Sequence, residues 1–220
     1  MTMAVAVAQY EAKITSQHNL NLPAHAFWTA NTVVDPDTGA SLEYKDLKLG
    51  EDSQQWLQGC SNEMGRLAQG VRPHMLTGTN TIHFIHPSDK PTDRKATYLK
   101  IVAELKPHKA GKYRVRFTVG GNRIDYPGIV TTPTAEMQTV KLHLNSVISD
   151  VNASYLVTDI NKFYLNTPMN RYKYMRIPEE QIPQDIMQQY DLKRLIVNNH
   201  VIVEIRKGMY SLPHVAAILC

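Results

Sequence analysis

Only two cysteines occur in 220 residues, Cys60 and Cys220. That is too few for a disulfide framework or a cysteine-rich zinc site, so a reducing compartment is expected, cytoplasmic rather than secreted. No apolar run approaches the length of a bilayer span, and no membrane partner is expected. The start, Met1-Thr2-Met3-Ala4-Val5-Ala6-Val7-Ala8, is briefly apolar but has no basic residue, so it does not read as a signal peptide. Disorder throughout is excluded by a hydrophobic content of 43%. Net charge is also scarce, at +4, but it is unevenly placed. Between Lys90 and Arg123 stand ten Lys or Arg against two acids, Asp93 and Glu104. A concentrated basic face points to an anionic partner such as nucleic acid or nucleotide phosphate. A solvated hairpin face would have the same composition.

Met1 to Ala30 shows no clear period, and residues 1–40 read as a variable leader. The leader closes on a strong turn signal, Asp35-Pro36-Asp37-Thr38-Gly39. Ser41 to Tyr44 reads as a short strand or extended arm. Ser53 is placed to cap a helix. In that helix Trp56, Leu57, Cys60, Met64, Leu67 and Ala68 fall on one face. Thr81 to His86 alternates like a strand. His83 and His86 then point to opposite faces, which argues against a metal pair.

Tyr98 to Leu105 and Tyr113 to Val119 read as two strands of a hairpin. The turn between them, Lys106-Pro107-His108-Lys109-Ala110-Gly111-Lys112, is basic. Along the second strand Arg114 and Arg116 share one face, and Val115, Phe117 and Val119 share the other. Two guanidiniums on one rigid strand suit a polyphosphate, because each can fork onto phosphate oxygens. An ordinary exposed strand face fits the same pattern. Lys106, Lys109, Lys112 and Arg123 widen the basic surface into a candidate nucleic-acid contact.

Pro133 and Thr134 start a helix whose buried face would be Met137, Val140, Leu144, Val147 and Ile148. Tyr155 to Val157 reads as a buried strand that delivers Asp159 at its end. A rigidly held, open carboxylate there suits a metal, though an Asp after an apolar strand is more often a turn or cap residue. A turn follows at Thr167-Pro168. Pro183 opens a short helix to Tyr190. Leu195 to Val197 and His200 to Ile205 form a hairpin about Asn198-Asn199.

The stretch Asp159-Ile160-Asn161-Lys162-Phe163-Tyr164-Leu165-Asn166 resembles the first catalytic-aspartate motif of the reverse transcriptases of copia-type LTR retrotransposons. Their pattern is roughly Asp-(Val/Ile)-x-x-(Ala/Phe)-(Phe/Tyr)-Leu-Asn. Three further blocks resemble the same family, in the same order along the chain. Tyr113-Arg114-Val115-Arg116-Phe117-Thr118-Val119-Gly120-Gly121 is similar to its fingers motif, with Gly120 where a Lys is usual, and Ile124-Asp125-Tyr126 follows as in the family. Tyr172-Lys173-Tyr174-Met175-Arg176-Ile177-Pro178 is similar to the Tyr-Met-x-x-Pro strand. Ile205-Arg206-Lys207-Gly208-Met209-Tyr210-Ser211-Leu212-Pro213-His214 is similar to the block that shapes the template and nucleotide pocket. There Ser211 replaces a Gly and His214 a Gln. A Gly at that position would serve a backbone angle that Ser tolerates poorly.

The resemblance covers about Ser41 to Cys220. It implies an α+β fold with reverse-transcriptase-like fingers at 41–135 and an incomplete palm at 136–220, an antiparallel sheet packed with helices. It also implies RNA-directed DNA polymerase chemistry, nucleotidyl transfer on two Mg²⁺ ions. Asp159 would be the catalytic carboxylate and first metal ligand, and the Ile160 carbonyl a backbone ligand. Arg114 and Arg116 would neutralise the triphosphate, Tyr164 would lie under the sugar, and His214 would border the nucleotide. The implied partners are an RNA or DNA template-primer, deoxynucleoside triphosphates and the rest of a polyprotein, in cytoplasm, virus-like particle or nucleus. The family draws its other metal carboxylates from a Tyr-x-Asp-Asp hairpin, and no Asp-Asp pair occurs in this sequence. The chain alone is therefore expected not to polymerise. The alternatives are a non-catalytic nucleic-acid-binding remnant that uses the basic hairpin, a product without function, and an unrelated α+β scaffold.

Overall fold

A computed structural model describes residues 33–106, 111–124, 135–156 and 163–212. The chain divides into two compact units, Met1–Leu42 and Glu43–Cys220. In the first, the expected turn closes a bridge between Val34 and Ser41. The Asp35 carboxylate accepts the N–H groups of Asp37 and Thr38, each at 2.9 Å. Those bonds, Thr38's foremost, hold its pKa below the ordinary carboxylate value.

The second unit is mixed α+β. Its helices are α1 (Tyr44–Leu47), α2 (Ser53–Leu67), α3 (Met137–Ser149), α4 (Phe163–Asn166) and α5 (Gln184–Gln189). Its strands are β1 (Ile82–Ile85), β2 (Ala96–Leu105), β3 (Tyr113–Val119), β4 (Pro168–Pro178) and β5 (His200–Lys207). They form one curled sheet in the order β1-β5-β4-β2-β3. Strands from both the 41–135 and the 136–220 stretches thus share that sheet. It is not purely antiparallel, as the sequence reading expected: β2 and β4 run parallel through Ala96↔Tyr174, Thr97↔Met175 and Tyr98↔Arg176. The β2–β3 hairpin reverses the chain, so a strand that follows β3 and pairs on the other side of β2 runs parallel to β2.

The core lies where α2 packs against the sheet and α5 packs against α2. Met175, Ile177, Val203 and Ile205 of the middle strands are fully buried, as are Met64 and Leu67 of α2. The α2 stripe of Trp56, Cys60, Met64 and Leu67 is the expected one. Leu57 departs from it and is exposed. Trp56 lies edge-on to Tyr113 with ring centroids 5.0 Å apart. Ser53 is the first helical residue, and Asp52 rather than Ser53 holds the N-cap position. Burial pushes the Cys60 thiol up to about 12, so it packs as an apolar side chain. Tyr44 opens the helix α1 instead of ending an extended arm.

Other expectations are corrected further along. The third helix begins at Met137, preceded by Glu136, rather than at Pro133 and Thr134, which lie outside the described residues. None of its residues is buried: Met137, Val140, Leu144 and Ile148 are exposed, and Val147 is half-buried. No described element covers its apolar side. Tyr155 and Leu156 are exposed and form no strand, and Val157 lies outside the described residues. An apolar pattern gives burial only when a second surface arrives, and none does so here among the described residues. Near the C-terminal hairpin, Leu192–Leu195 is a 3₁₀ turn, and Val197 alone bridges to His200. The expected Asn198-Asn199 turn is present, with φ of 52° and 60°. Both angles are left-handed, as a two-residue hairpin turn requires.

Candidate functional site

The β2–β3 hairpin has the strand limits read from the sequence, extended at the start to Ala96. Its register pairs Leu105 with Tyr113, Glu104 with Arg114, and Val102 with Arg116. Val115, Phe117 and Val119 are buried, and Arg114 and Arg116 sit on the opposite face. The buried face packs on α2. The approach is close: a Cβ on Gly59 would lie 3.1 Å from the Tyr113 carbonyl oxygen and 3.2 Å from Val115. Glycine at that helical turn lets α2 lie against the edge strand.

The basic residues differ in how their charge is met. Glu104 stands between two of them. Lys106 Nζ lies 3.3 Å from Glu104 Oε2, an ion pair without hydrogen-bond geometry, and Arg116 Nη1 lies 3.9 Å from Glu104 Oε1. The Arg116 guanidinium also sits 5.8 Å from the Tyr210 ring centroid. Its Nε is buried with no hydrogen-bond partner among the described residues. Arg114 has no ion-pair partner among the described residues, although Glu104 is its cross-strand neighbour. Lys112 lies over the Tyr113 ring at 5.1 Å.

Beside the hairpin edge opens a cleft of about 490 Å³, lined by Glu63, Arg66, Lys106, Arg114 and Tyr210. The sequence reading missed Arg66. Glu63 holds it through Nε at 2.9 Å and Nη2 at 2.7 Å. The same carboxylate accepts the Phe117 N–H at 3.4 Å, so it joins α2 to β3. Burial works against the Arg66 charge, but Glu63 outweighs it and leaves the pKa raised. The cleft therefore presents a guanidinium fixed by Glu63, another without an ion-pair partner among the described residues, and the Tyr210 ring around a space of ligand size. The i,i+3 spacing of Glu63 and Arg66 was visible in the sequence. The sequence does not show that α2 brings the pair to the hairpin.

Arg123 is elsewhere. It stacks on Tyr98 at 5.2 Å and lines a second cavity at the other end of the strands. Its grouping with Lys106 and Lys112 as one surface is thus not what the fold makes. Asp159, Ile160, Lys109 and His214 lie outside the described residues. Tyr164 falls in α4, and its side chain lies outside the described residues. Among the described residues no group of three or more His, Cys, Asp or Glu is placed to hold a metal. Glu63 and Glu104 are each engaged by cations, so neither offers Mg²⁺ a free carboxylate. His83 faces Glu204 across β1 and β5, while the His86 ring is 2.7 Å from the Ser88 hydroxyl. Burial, then Arg206, lowers the His83 pKa.

Two positions that differ from the pattern the sequence resembles have structural consequences. Ser211 has φ of 69°, in the left-handed region where a Gly would be unstrained. At Gly120 an added Cβ would run into the Tyr98 ring, with Cζ 2.6 Å away. Its N–H and carbonyl are also taken, by the Tyr98 carbonyl at 3.0 Å and the Thr97 hydroxyl at 2.6 Å. Gly120→Lys is accordingly expected to lower stability by about 1–3 kcal/mol through overpacking. A denaturant titration in which the variant matches the parent would remove Tyr98 as the reason for glycine.

No known family model matches the chain, and neither a curated protein nor a solved structure does so. Among the described residues no helix is long and apolar enough to cross a membrane.

Proposed function

We propose that the chain binds nucleotide or nucleic-acid phosphate at the β2–β3 hairpin, as the fingers and incomplete palm of a copia-type reverse transcriptase. The observation that carries this reading is Arg114. It is a cation without an ion-pair partner among the described residues, on a rigid edge strand beside a cleft that also holds Arg66, Lys106 and Tyr210. Phosphate oxygens would accept from the Arg114 guanidinium, whose planar fork fits such oxygens in pairs, while Arg66, its Nε and Nη2 held by Glu63, would border the same space. Arg116, half-neutralised by Glu104 and set against Tyr210, would position that ring rather than supply a free charge. Nucleotidyl transfer in the intact family enzyme would use Mg²⁺ held by Asp159 and further carboxylates, and Tyr164 would lie under the sugar.

The first test is binding of a fluorescent single-stranded oligonucleotide, measured as a function of salt. Arg114→Gln is expected to reduce the slope of log K against log salt by about 1, the signature of one lost phosphate contact. Among the described residues the Arg114 side chain makes no hydrogen bond or ion pair, so folding should be unchanged. An unchanged slope in a folded variant would sink the assignment. A second measurement concerns catalysis. With template-primer, Mg²⁺ and all deoxynucleoside triphosphates, the 220-residue chain is expected to give no extension. Two-metal transfer needs several carboxylates around the ions, and the sequence offers no Asp-Asp pair. Sustained primer extension would overturn that expectation. Salt-sensitive binding without extension also fits the non-catalytic reading, a remnant that uses the same hairpin to hold nucleic acid.

A further inference from the structure

We infer that a second cavity, where β2 and β4 run parallel, is a binding site for a compact polyphosphate anion of the triphosphate class. It lies apart from the hairpin cleft and does not depend on the function proposed for that cleft. Its volume is about 380 Å³, within the range of small-ligand pockets. Among the described residues five cations line it, Arg94, Lys95, Arg123, Arg171 and Lys173, against one carboxylate, Asp93.

These cations come from three separate segments. Arg94 and Lys95 precede β2, Arg123 follows β3, and Arg171 and Lys173 belong to β4. The fold fixes how those segments meet. Parallel pairing of Ala96 with Tyr174 sets the start of β2 beside β4. The Thr97 hydroxyl donates to the Gly120 carbonyl at 2.6 Å, which ties the end of β3 to β2. Asp93 lies 3.2 Å from Arg94 Nε and 3.7 Å from Arg171 Nη2, so one carboxylate aligns two guanidiniums without cancelling both. Arg123 is held on the Tyr98 ring, its guanidinium 5.2 Å from the centroid.

Cations that only keep a protein soluble spread into water and away from one another. Here they converge on one concavity from three segments, only Arg171 and Lys173 being strand-borne, and that arrangement raises the energy of the empty fold by mutual repulsion. A ligand that relieves the repulsion must bring several negative charges into a small volume. A triphosphate does so, and its oxygens suit guanidinium forks as well as ammonium point charges. A single monovalent anion would leave most of the excess in place. A long strand of nucleic acid would spread its charge beyond the three segments.

The test is calorimetric titration of the full chain with sodium tripolyphosphate at low salt, beside Arg171→Gln, Arg123→Gln and Arg114→Gln. Arg171 has a side chain 58% exposed, so its replacement should leave the thermal transition unchanged, and a melt checks this. The expected result is saturable binding, weakened about tenfold by Arg171→Gln and by Arg123→Gln and not by Arg114→Gln. Loss with Arg114→Gln alone would put the anion in the hairpin cleft and overturn the inference. So would an absence of tripolyphosphate binding, or binding of a single-stranded oligonucleotide that depends on Arg171 while tripolyphosphate does not compete. Failure here leaves the hairpin reading intact, because that reading is judged by the Arg114 salt slope.

Discussion

Glu63→Ala is expected to destabilise the protein by about 3–5 kcal/mol, the cost of breaking a buried ion pair by removing one partner. Glu63 is only 6% exposed and answers two needs at once. Both of its oxygens accept from Arg66, and one also accepts the Phe117 N–H on the edge strand. With alanine the guanidinium stays partly buried and loses its counter-charge. The strand N–H loses its acceptor as well, and the desolvation of both groups is then uncompensated. Glu63→Gln separates the two losses: it keeps an acceptor for Phe117 and removes only the charge, so it should fall between alanine and the parent. Urea titrations of the three proteins measure the series. A loss below about 1 kcal/mol for alanine would mean that Arg66 finds water readily and that the cleft is not organised by this pair. The same variant should retain binding of an oligonucleotide while it is folded, since Arg66 and Arg114 both remain.

The elements read most faithfully from the sequence are those in which local chemistry and tertiary demand agree. The hairpin strands announce themselves by alternation, and Phe117 and Val119 are buried as that alternation requires. The Asn198-Asn199 turn is equally local, because both residues tolerate a left-handed backbone. The α2 stripe follows the helical period except at Leu57, which is exposed beside the buried Trp56. Failure comes where the outcome depends on a distant partner. The α3 face and Tyr155-Leu156 have the composition of buried segments, yet nothing among the described residues covers them. The parallel β2–β4 pairing joins segments far apart in sequence, and no periodicity encodes it.

The candidate sites divide in the same way. Arg114 was legible as a strand-face cation. Arg66 reaches its cleft only through helix packing, and Arg171 reaches its cavity only through the parallel register. Gly120 looked like a lost charge from the family pattern. In the fold it is a space for the Tyr98 ring. Asp159, the metal ligand that the resemblance implies, lies outside the described residues, so the case for phosphate recognition rests on the hairpin.

That places unusual weight on Phe117, and Phe117→Ala is expected to cost about 3–5 kcal/mol. The ring is fully buried between β3 and α2, with Ile101 as its cross-strand neighbour. It is flanked in sequence by Arg116, which points the other way. Because side chains alternate along a strand, the anchor on one face fixes the direction of the cations on the other. Truncation removes a large apolar area from the core and leaves a cavity that the close α2 contact at Gly59 cannot readily collapse. Phe117→Leu keeps most of the volume and should cost less than half as much. Urea titration gives the stability of each variant, and oligonucleotide binding below the transition gives its effect on the face. If the hairpin is the phosphate-binding element, Phe117→Ala should weaken binding even while the protein is mostly folded, because looser strands no longer hold Arg114 beside the cleft. A stable Phe117→Ala variant, within about 1 kcal/mol of the parent, would show instead that the edge strand is held by its backbone pairing with β2 and by Glu63.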